Sequence, residues 1–296
     1  MWTLTILFAS LGLGVLAREY WSFAPRALRL ARLWVIWVAL PAVILKEIPN
    51  LVIGHDAWLA LFAGWWVFVG ALVFALVIGR VWDWPRATVA ALVLTAGLGN
   101  TSFVGLPAIR LLVGESGIGP AVLYDQVGSF LPLAVGGSLV VAWGKGEGVS
   151  WSSIVAKLVT FPPTIALVLA LLLRSVTFHP TLLSALGTVA ATLSPVALFA
   201  VGLAAARPAL KHVRPIAAGL VWKLALAPLG VFGMATWLNT DPHWAHVTVL
   251  QSAMAPMVTG GIVASSAGLN PELASQMVVL GLFASAVTLP LWNLWF

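Results

Sequence analysis

The chain has no cysteine, which excludes disulfides, thiolate nucleophiles and Cys-ligated metals. Charge is nearly as scarce: 8% of the 296 residues are Asp, Glu, Lys or Arg, against roughly a quarter in soluble domains. The apolar runs follow one another too closely for an inserted soluble domain. There is no GxSxG elbow, no HExxH, no P-loop and no Asp-rich prenyl-diphosphate motif, so the membrane-enzyme chemistries built on them have no footing. No basic n-region or small-residue cleavage site precedes Arg18-Glu19, so the first apolar segment reads as a retained span.

What remains is 61% hydrophobic, with sixteen Trp, the composition of an all-α membrane protein. A window of about 20 residues predicts ten transmembrane helices, at 2–17, 29–46, 57–79, 87–112, 118–142, 153–173, 181–205, 215–237, 245–267 and 273–295. Many of the Trp, such as Trp2, Trp21, Trp82, Trp84, Trp143 and Trp151, fall near span ends, where an aromatic belt would put them. Of the fifteen Lys and Arg, eleven lie in or beside the odd-numbered connections (among them Arg18, Arg26, Arg29, Arg32, Arg80, Arg86, Arg207, Lys211 and Arg214), against three in the even ones. The positive-inside rule then puts both termini outside, in a membrane of the bacterial inner type. The +6 net charge is explained by topology and calls for no nucleic acid partner.

Residues 25–45, PRALRLARLWVIWVALPAVIL, align with 180–200, PTLLSALGTVAATLSPVALFA, including an opening proline and a second proline near the sixteenth position. Such weak self-similarity marks a duplicated unit. The halves become 1–143 and 152–296, five spans each, and an odd number of spans inverts the second copy. Inverted repeats characterise secondary carriers, in which the corresponding interrupted helices point to the binding site. Here those are spans 4 and 9. Span 4 holds GLGNTSFVGLP, with Asn100, Thr101 and Ser102 between Gly97, Gly99, Gly105 and Pro107. Span 9 holds QSAMAPMVTGGIVASS, with Gln251, Ser252, Pro256, Thr259, Gly260 and Gly261. Asn100 lies about 20 Å of helix rise from the start of its span, near the midplane. Unwound backbone at that depth is tolerated only where it is buried in protein or lines a wet cavity.

GNTSFVGLP, then YDQVGSF (124–130), Lys223 within WKLALAP, and APMVTGGIVASSAGLNPELAS together resemble the auxin efflux carrier family in its bacterial form, related in fold to bile acid sodium symporters. The resemblance implies a scaffold of spans 1, 2, 6 and 7, a transport part of spans 3–5 and 8–10, crossover helices 4 and 9, an elevator-like motion, and homodimerisation through the scaffold. It also implies a small organic anion as substrate: a dicarboxylate such as malate or malonate, or an aromatic acid of the auxin kind. Plant members carry proline at both crossings, whereas here Pro107 stands in the first and Gly260 aligns with the second.

Half-helices meeting at the midplane aim positive N-terminal ends at the crossing, which suits a carboxylate. Asn100, Thr101, Ser102, Gln251 and Thr259 would add neutral hydrogen bonds, or else simply satisfy carbonyls freed by the break. Asp125 is the only carboxylate well inside a span, and Lys223 the only cation in a span core. Asp125 reads either as a proton-coupling group or as a structural one, paired with Lys223 or hydrogen-bonded in place. Gln126 and Ser129 are candidates to line the same cavity. Arg110 reads either as an outer attractor of anions or as an interfacial anchor. No cofactor is called for. Proton coupling is preferred to sodium, because no Glu stands in span 9. A metal site at His243 and His246 lacks ligands beyond Asp241. The alternatives are a sodium-coupled bile-acid-type symporter, an anion channel, and a membrane enzyme. The GLGN and YD pairs superficially resemble the motifs of intramembrane aspartyl proteases, but Asn100 cannot ionise and the order is reversed.

Overall fold

The computed structural model describes residues 2–204 and 212–296, and the side chains of all of these except 2–5, 7 and 8. Arg207 and Lys211, used above for orientation, the last residue of the expected seventh span and the side chain of Trp2 lie outside the described residues. Every described element with regular structure is helical apart from one isolated bridge. In chain order the helices are α1 (Trp2–Tyr20), α2 (Ala24–Glu47), α3 (Ala57–Val81), α4 (Arg86–Ala96), α5 (Thr101–Leu112), α6 (Glu115–Lys145), α7 (Trp151–Thr160), α8 (Pro162–Ser175), α9 (Pro180–Ala204), α10 (Val213–Trp237), α11 (Pro242–Ser252), α12 (Val258–Ser266) and α13 (Pro271–Asn293). Six of them, α2, α3, α6, α9, α10 and α13, are long and apolar enough to cross a membrane, and the pair α7 and α8, bent by 62°, makes a seventh candidate.

Local chemistry sets these boundaries. At the bend, Phe161 is extended (φ −77, ψ 117), because the proline after it crowds the helical region. α11 starts with Pro242 in its first turn and Asp241 accepting hydrogen bonds from the N–H groups of His243 and Trp244, the standard way to satisfy donors that a helix start leaves free. Asn270 serves α13 likewise, accepting from Leu273. Several helices contain a wide turn with an i→i+5 pattern: Val35–Ala39 in α2, Thr101–Gly105 in α5, Tyr124–Phe130 and Leu133–Gly137 in α6, and Trp222–Leu226 in α10. Such turns are rare and concentrate at functional sites.

The chain divides into two compact units, one of Met1–Val52, Ser102–Val122 and Leu158–Ala205, the other of Ile53–Thr101, Leu123–Lys157 and Ala206–Phe296. In the first, α1 lies along α9 at a close crossing of backbones. A Cβ on Gly14 would stand 2.3 Å from the Phe199 carbonyl, so only glycine fits. α2 packs against α8 and α9. In the second unit α4 is buried on every face from Thr88 to Ala96, surrounded by α3, α10, α12 and α13. A helix apolar all round is expected at the centre of a bundle. Conversely α3 leaves Trp58, Phe62, Trp66, Val69, Val73 and Val77 exposed along one stripe, a pattern that lipid, not water, would cover.

Two expectations about the breaks are corrected. Gly260 and Gly261 are not the interruption of the expected ninth span: they lie inside α12. They allow close packing instead, since a Cβ on Gly260 would stand 2.0 Å from the Leu94 carbonyl oxygen and one on Gly261 2.8 Å from Val278. The helix is interrupted earlier, over residues 253–257, where Pro256 removes a donor. Pro107 likewise lies within helix, in the first turn of the regular stretch Leu106–Leu112. It follows the wide turn Thr101–Gly105, where its missing N–H leaves a carbonyl free.

Candidate functional site

Within the second unit the chain leaves helical geometry at two buried places, over residues 97–100 after α4 and over 253–257 after α11. Both breaks are buried; Leu98, Asn100, Thr101 and all of residues 247–257 are shielded by the protein. Peptide groups there cannot turn to water and must pair within the protein. They pair with each other. Gly99 and Pro256 form an antiparallel bridge, in which the Asn100 N–H donates to the Ala255 carbonyl at 2.8 Å and the Met257 N–H to the Leu98 carbonyl at 3.0 Å. A residue the sequence gave no reason to single out supports this: a Cβ on Gly281 would stand 2.2 Å from Pro256 Cδ, so α13 leaves room for the proline.

A carboxylate serves the first break. The Thr101 hydroxyl donates to Asp125 Oδ1, and Gln126 Nε2 donates to Asp125 Oδ2 at 2.8 Å. Asp125 is 2% exposed and lies in the wide turn Tyr124–Phe130. That turn presses on α3 at a point where a Cβ on Gly64 would stand 1.9 Å from the Gly128 carbonyl. Small residues on both sides let the two backbones approach this closely.

An ammonium serves the second. Lys223, fully buried in the wide turn Trp222–Leu226, donates from Nζ to the carbonyl of Ser252 at 2.6 Å. Ser252 is the last residue of α11, so the cation sits at the negative end of a helix, where it is stabilised. The ammonium also lies beside the first break, since a Cβ on Gly99 would stand 3.2 Å from Nζ. Asp125 and Lys223, the two candidates for an ion pair, thus each have hydrogen-bond partners of their own.

The other expected residues divide. Gln251 and Ser129 are buried in the same unit. Thr259 is exposed on α12. Ser102 and Pro107 fall in the other unit. Thr248, which carried no signal in the sequence, is fully buried one turn before Gln251 and Ser252. Among the described residues Thr248 Oγ1 and Gln126 Oε1 are buried side-chain atoms with no hydrogen-bond partner, and α11 packs against the turn that carries Gln126. The Arg110 guanidinium donates to Glu115 (2.7 Å) and Ser194 (2.9 Å) within the first unit. His246 meets Asn293 at 2.9 Å and stacks on Phe296.

Apolar helices with outward-facing hydrophobic stripes, enclosing paired helix breaks with buried polar groups, define a membrane protein that handles a solute. The chain matches the family described as "Membrane transport protein" over residues 1–293, and it belongs to this family, that of the auxin efflux carriers. It is similar to an "uncharacterized transporter" of Methanocaldococcus jannaschii, with 23% identity over 240 residues, 77% of this chain and 74% of that one. A protein of the same description from Methanothermobacter thermautotrophicus is 28% identical over 207 residues, 68% of this chain and 66% of that one. The chain is therefore a membrane transporter, not an enzyme.

Proposed function

We propose that the chain is an elevator-type secondary carrier of a small organic anion, a carboxylate or auxin-like acid, bound where its fourth and ninth spans are broken. In this reading the fourth span is α4 with α5 and the ninth is α11 with α12, crossing near the midplane. The halves 1–143 and 152–296 are inverted five-span repeats in an inner membrane, with both termini outside. The division into scaffold and transport parts is supported by α1, α2, α8 and α9 falling in one compact unit and α3, α4 and α10–α13 in the other, α8 and α9 counted up to the described residues.

The observation that carries the reading is the antiparallel pairing of the two breaks beside a buried ammonium. Each break leaves one helix C-terminal end and one N-terminal end. Lys223 neutralises the C-terminal end of α11, so the N-terminal ends dominate and the field favours an anion. Asn100 and Gln251 supply hydrogen bonds that can be released, and Thr259 an exposed hydroxyl. Asp125 is the coupling group for protons, held in one orientation by Thr101 and Gln126. Sodium coupling is the second reading, favoured by the unpartnered oxygens of Gln126 and Thr248, since hard cations take oxygen ligands.

The test is uptake of labelled carboxylic acids into proteoliposomes, with and without a pH gradient and with choline in place of sodium. Saturable uptake with counterflow, lost in Asn100→Ala, is the expected result. Unchanged transport by Asn100→Ala would remove the proposed site; uptake without saturation or counterflow would make the protein a channel.

A further inference from the structure

Between α6 and α8 the chain forms a helix that the protein itself hardly covers. Of the ten residues of α7 only Ile154 is buried; Trp151 is 62% exposed, Val155 55% and Val159 62%. Nor does α7 continue the direction of α8. With the 62° bend at Phe161, its ten residues, about 15 Å of helix, advance only about 7 Å along the axis of α8.

The sequence of α7 sorts its side chains by face. At about 100° per residue, Trp151, Ile154, Val155, Leu158 and Val159 fall in one arc of roughly 140°, and Ser152, Ser153, Ala156, Lys157 and Thr160 take the rest of the circle. One edge is held by the protein: Lys157 Nζ donates to Ser138 Oγ of α6 at 3.1 Å, on the side where Ile154 is buried. The remainder of the apolar arc is open. A lone helix shorter than about 12–15 residues is marginal in water, so α7 needs a cover over that arc to stay formed. A bilayer is within reach at both ends. Five residues separate α7 from α6 and one separates it from α8; α6 is long and apolar enough to cross a membrane, and α8 packs along residues 35–47 of another such helix, α2.

We propose that α7 lies in the membrane surface, with Trp151, Val155 and Val159 sunk in the headgroup–acyl boundary and Ser152, Ala156 and Thr160 in water, so that the sixth span begins at Pro162 and not at residue 153. An apolar face that carries Trp and a polar face that carries Lys are the features of helices that lie in this boundary, buried by about 5–10 Å. A soluble partner or a second copy would compete for the same arc, but neither is tied to both ends of the helix as the bilayer is. The proposal needs only a bilayer, and stands whether or not the carrier reading does.

Because the chain has no cysteine, single cysteines can be spin-labelled in the whole protein in phosphatidylcholine vesicles. Depth is read from collisions with oxygen, which concentrates among acyl chains, against collisions with a water-soluble nickel complex. Labels at Trp151→Cys, Val155→Cys and Val159→Cys are expected among acyl chains, and those at Ser152→Cys, Ala156→Cys and Thr160→Cys in water. On a helix running straight across the membrane, Trp151→Cys and Val159→Cys would differ in depth by about 12 Å; here they differ by less than half of that. Phe62→Cys and Val69→Cys, on the exposed stripe of α3, give the steep gradient of a crossing helix in the same vesicles, about 10 Å over seven residues. Adding Val155→Glu moves the Val159→Cys label into water, whereas adding Ala156→Glu leaves it at depth. The proposal is overturned if depth changes by the full 12 Å or so with Ala156→Cys and Thr160→Cys shielded from nickel, since α7 is then the first part of a span. It is equally overturned if all six labels stand in water, if Val155→Glu leaves Val159→Cys at depth, or if labels on the apolar arc broaden one another's spectra, since a second copy then covers it.

Discussion

The two helix breaks solve one backbone problem with opposite charges. At 97–100 the polar partner is Asp125, joined to side chains: the Thr101 hydroxyl and the Gln126 amide. At 253–257 it is Lys223, attached to the main chain itself at the Ser252 carbonyl. A side-chain network can reorganise when its carboxylate gains or loses a proton, while a cation on a helix end has nothing to exchange with unless the helix moves. On the proposed reading the lysine is a fixture of the fold, and the aspartate the part able to switch.

Lys223→Met is the strongest way to break this contrast. It leaves the buried Ser252 carbonyl without its donor, a loss of about 1–3 kcal/mol, and restores the negative end of α11 at the proposed anion site. Transport at low substrate falls by about tenfold for every 1.4 kcal/mol of lost anion binding, read as uptake in proteoliposomes, and the unfolding midpoint in detergent falls with it. Asp125→Asn comes next. It keeps an acceptor for Thr101 and a group of the same size, so the midpoint stays close to the parent's while the response of uptake to a pH gradient disappears. Should Asp125→Asn unfold the protein while Lys223→Met leaves it folded and active, the roles are reversed.

Thr101→Val follows. It removes a hydrogen bond to a charged group, worth about 1.5–3 kcal/mol, and lowers the unfolding midpoint while part of the transport persists. The smallest effect belongs to Gly99→Ala. Its Cβ meets Lys223 Nζ and Thr101 Cγ2, both at 3.2 Å, side-chain atoms that need give way by only a few tenths of an ångström, so transport changes only slightly. Gly260→Ala, by contrast, meets a main-chain oxygen at 2.0 Å and lowers the yield of folded protein, as measured by size-exclusion chromatography.

The helical segments were legible in the sequence because hydropathy alone marks them: 57–79 is Ala57–Val81 and 215–237 is Val213–Trp237. The first break was legible too, since Gly97, Gly99 and three polar residues gather at one depth. The second was legible in part: Pro256 stands in it, whereas Gly260 lies inside α12. A glycine that admits a neighbouring backbone reads in one dimension like a glycine that breaks a helix. The partner of Lys223 was hidden for a related reason. Sequence reading matched it with a side chain, Asp125, whereas its acceptor is a carbonyl that becomes available only once the helix end is located. Nor could the Thr101–Asp125 contact be read from spacing, since it joins two elements 24 residues apart.

The wide turn at Tyr124–Phe130 carries one residue more than an ordinary helical turn would. Each residue of an α-helix advances about 100° around the axis, so this insertion rotates everything after it in α6 by that angle. Deleting Val127 would remove this wide turn and rotate the remainder of α6 through about 100°, taking Gly128 away from Gly64. The face that α6 turns to α3 beyond Asp125 is thus set by a single extra step of the chain.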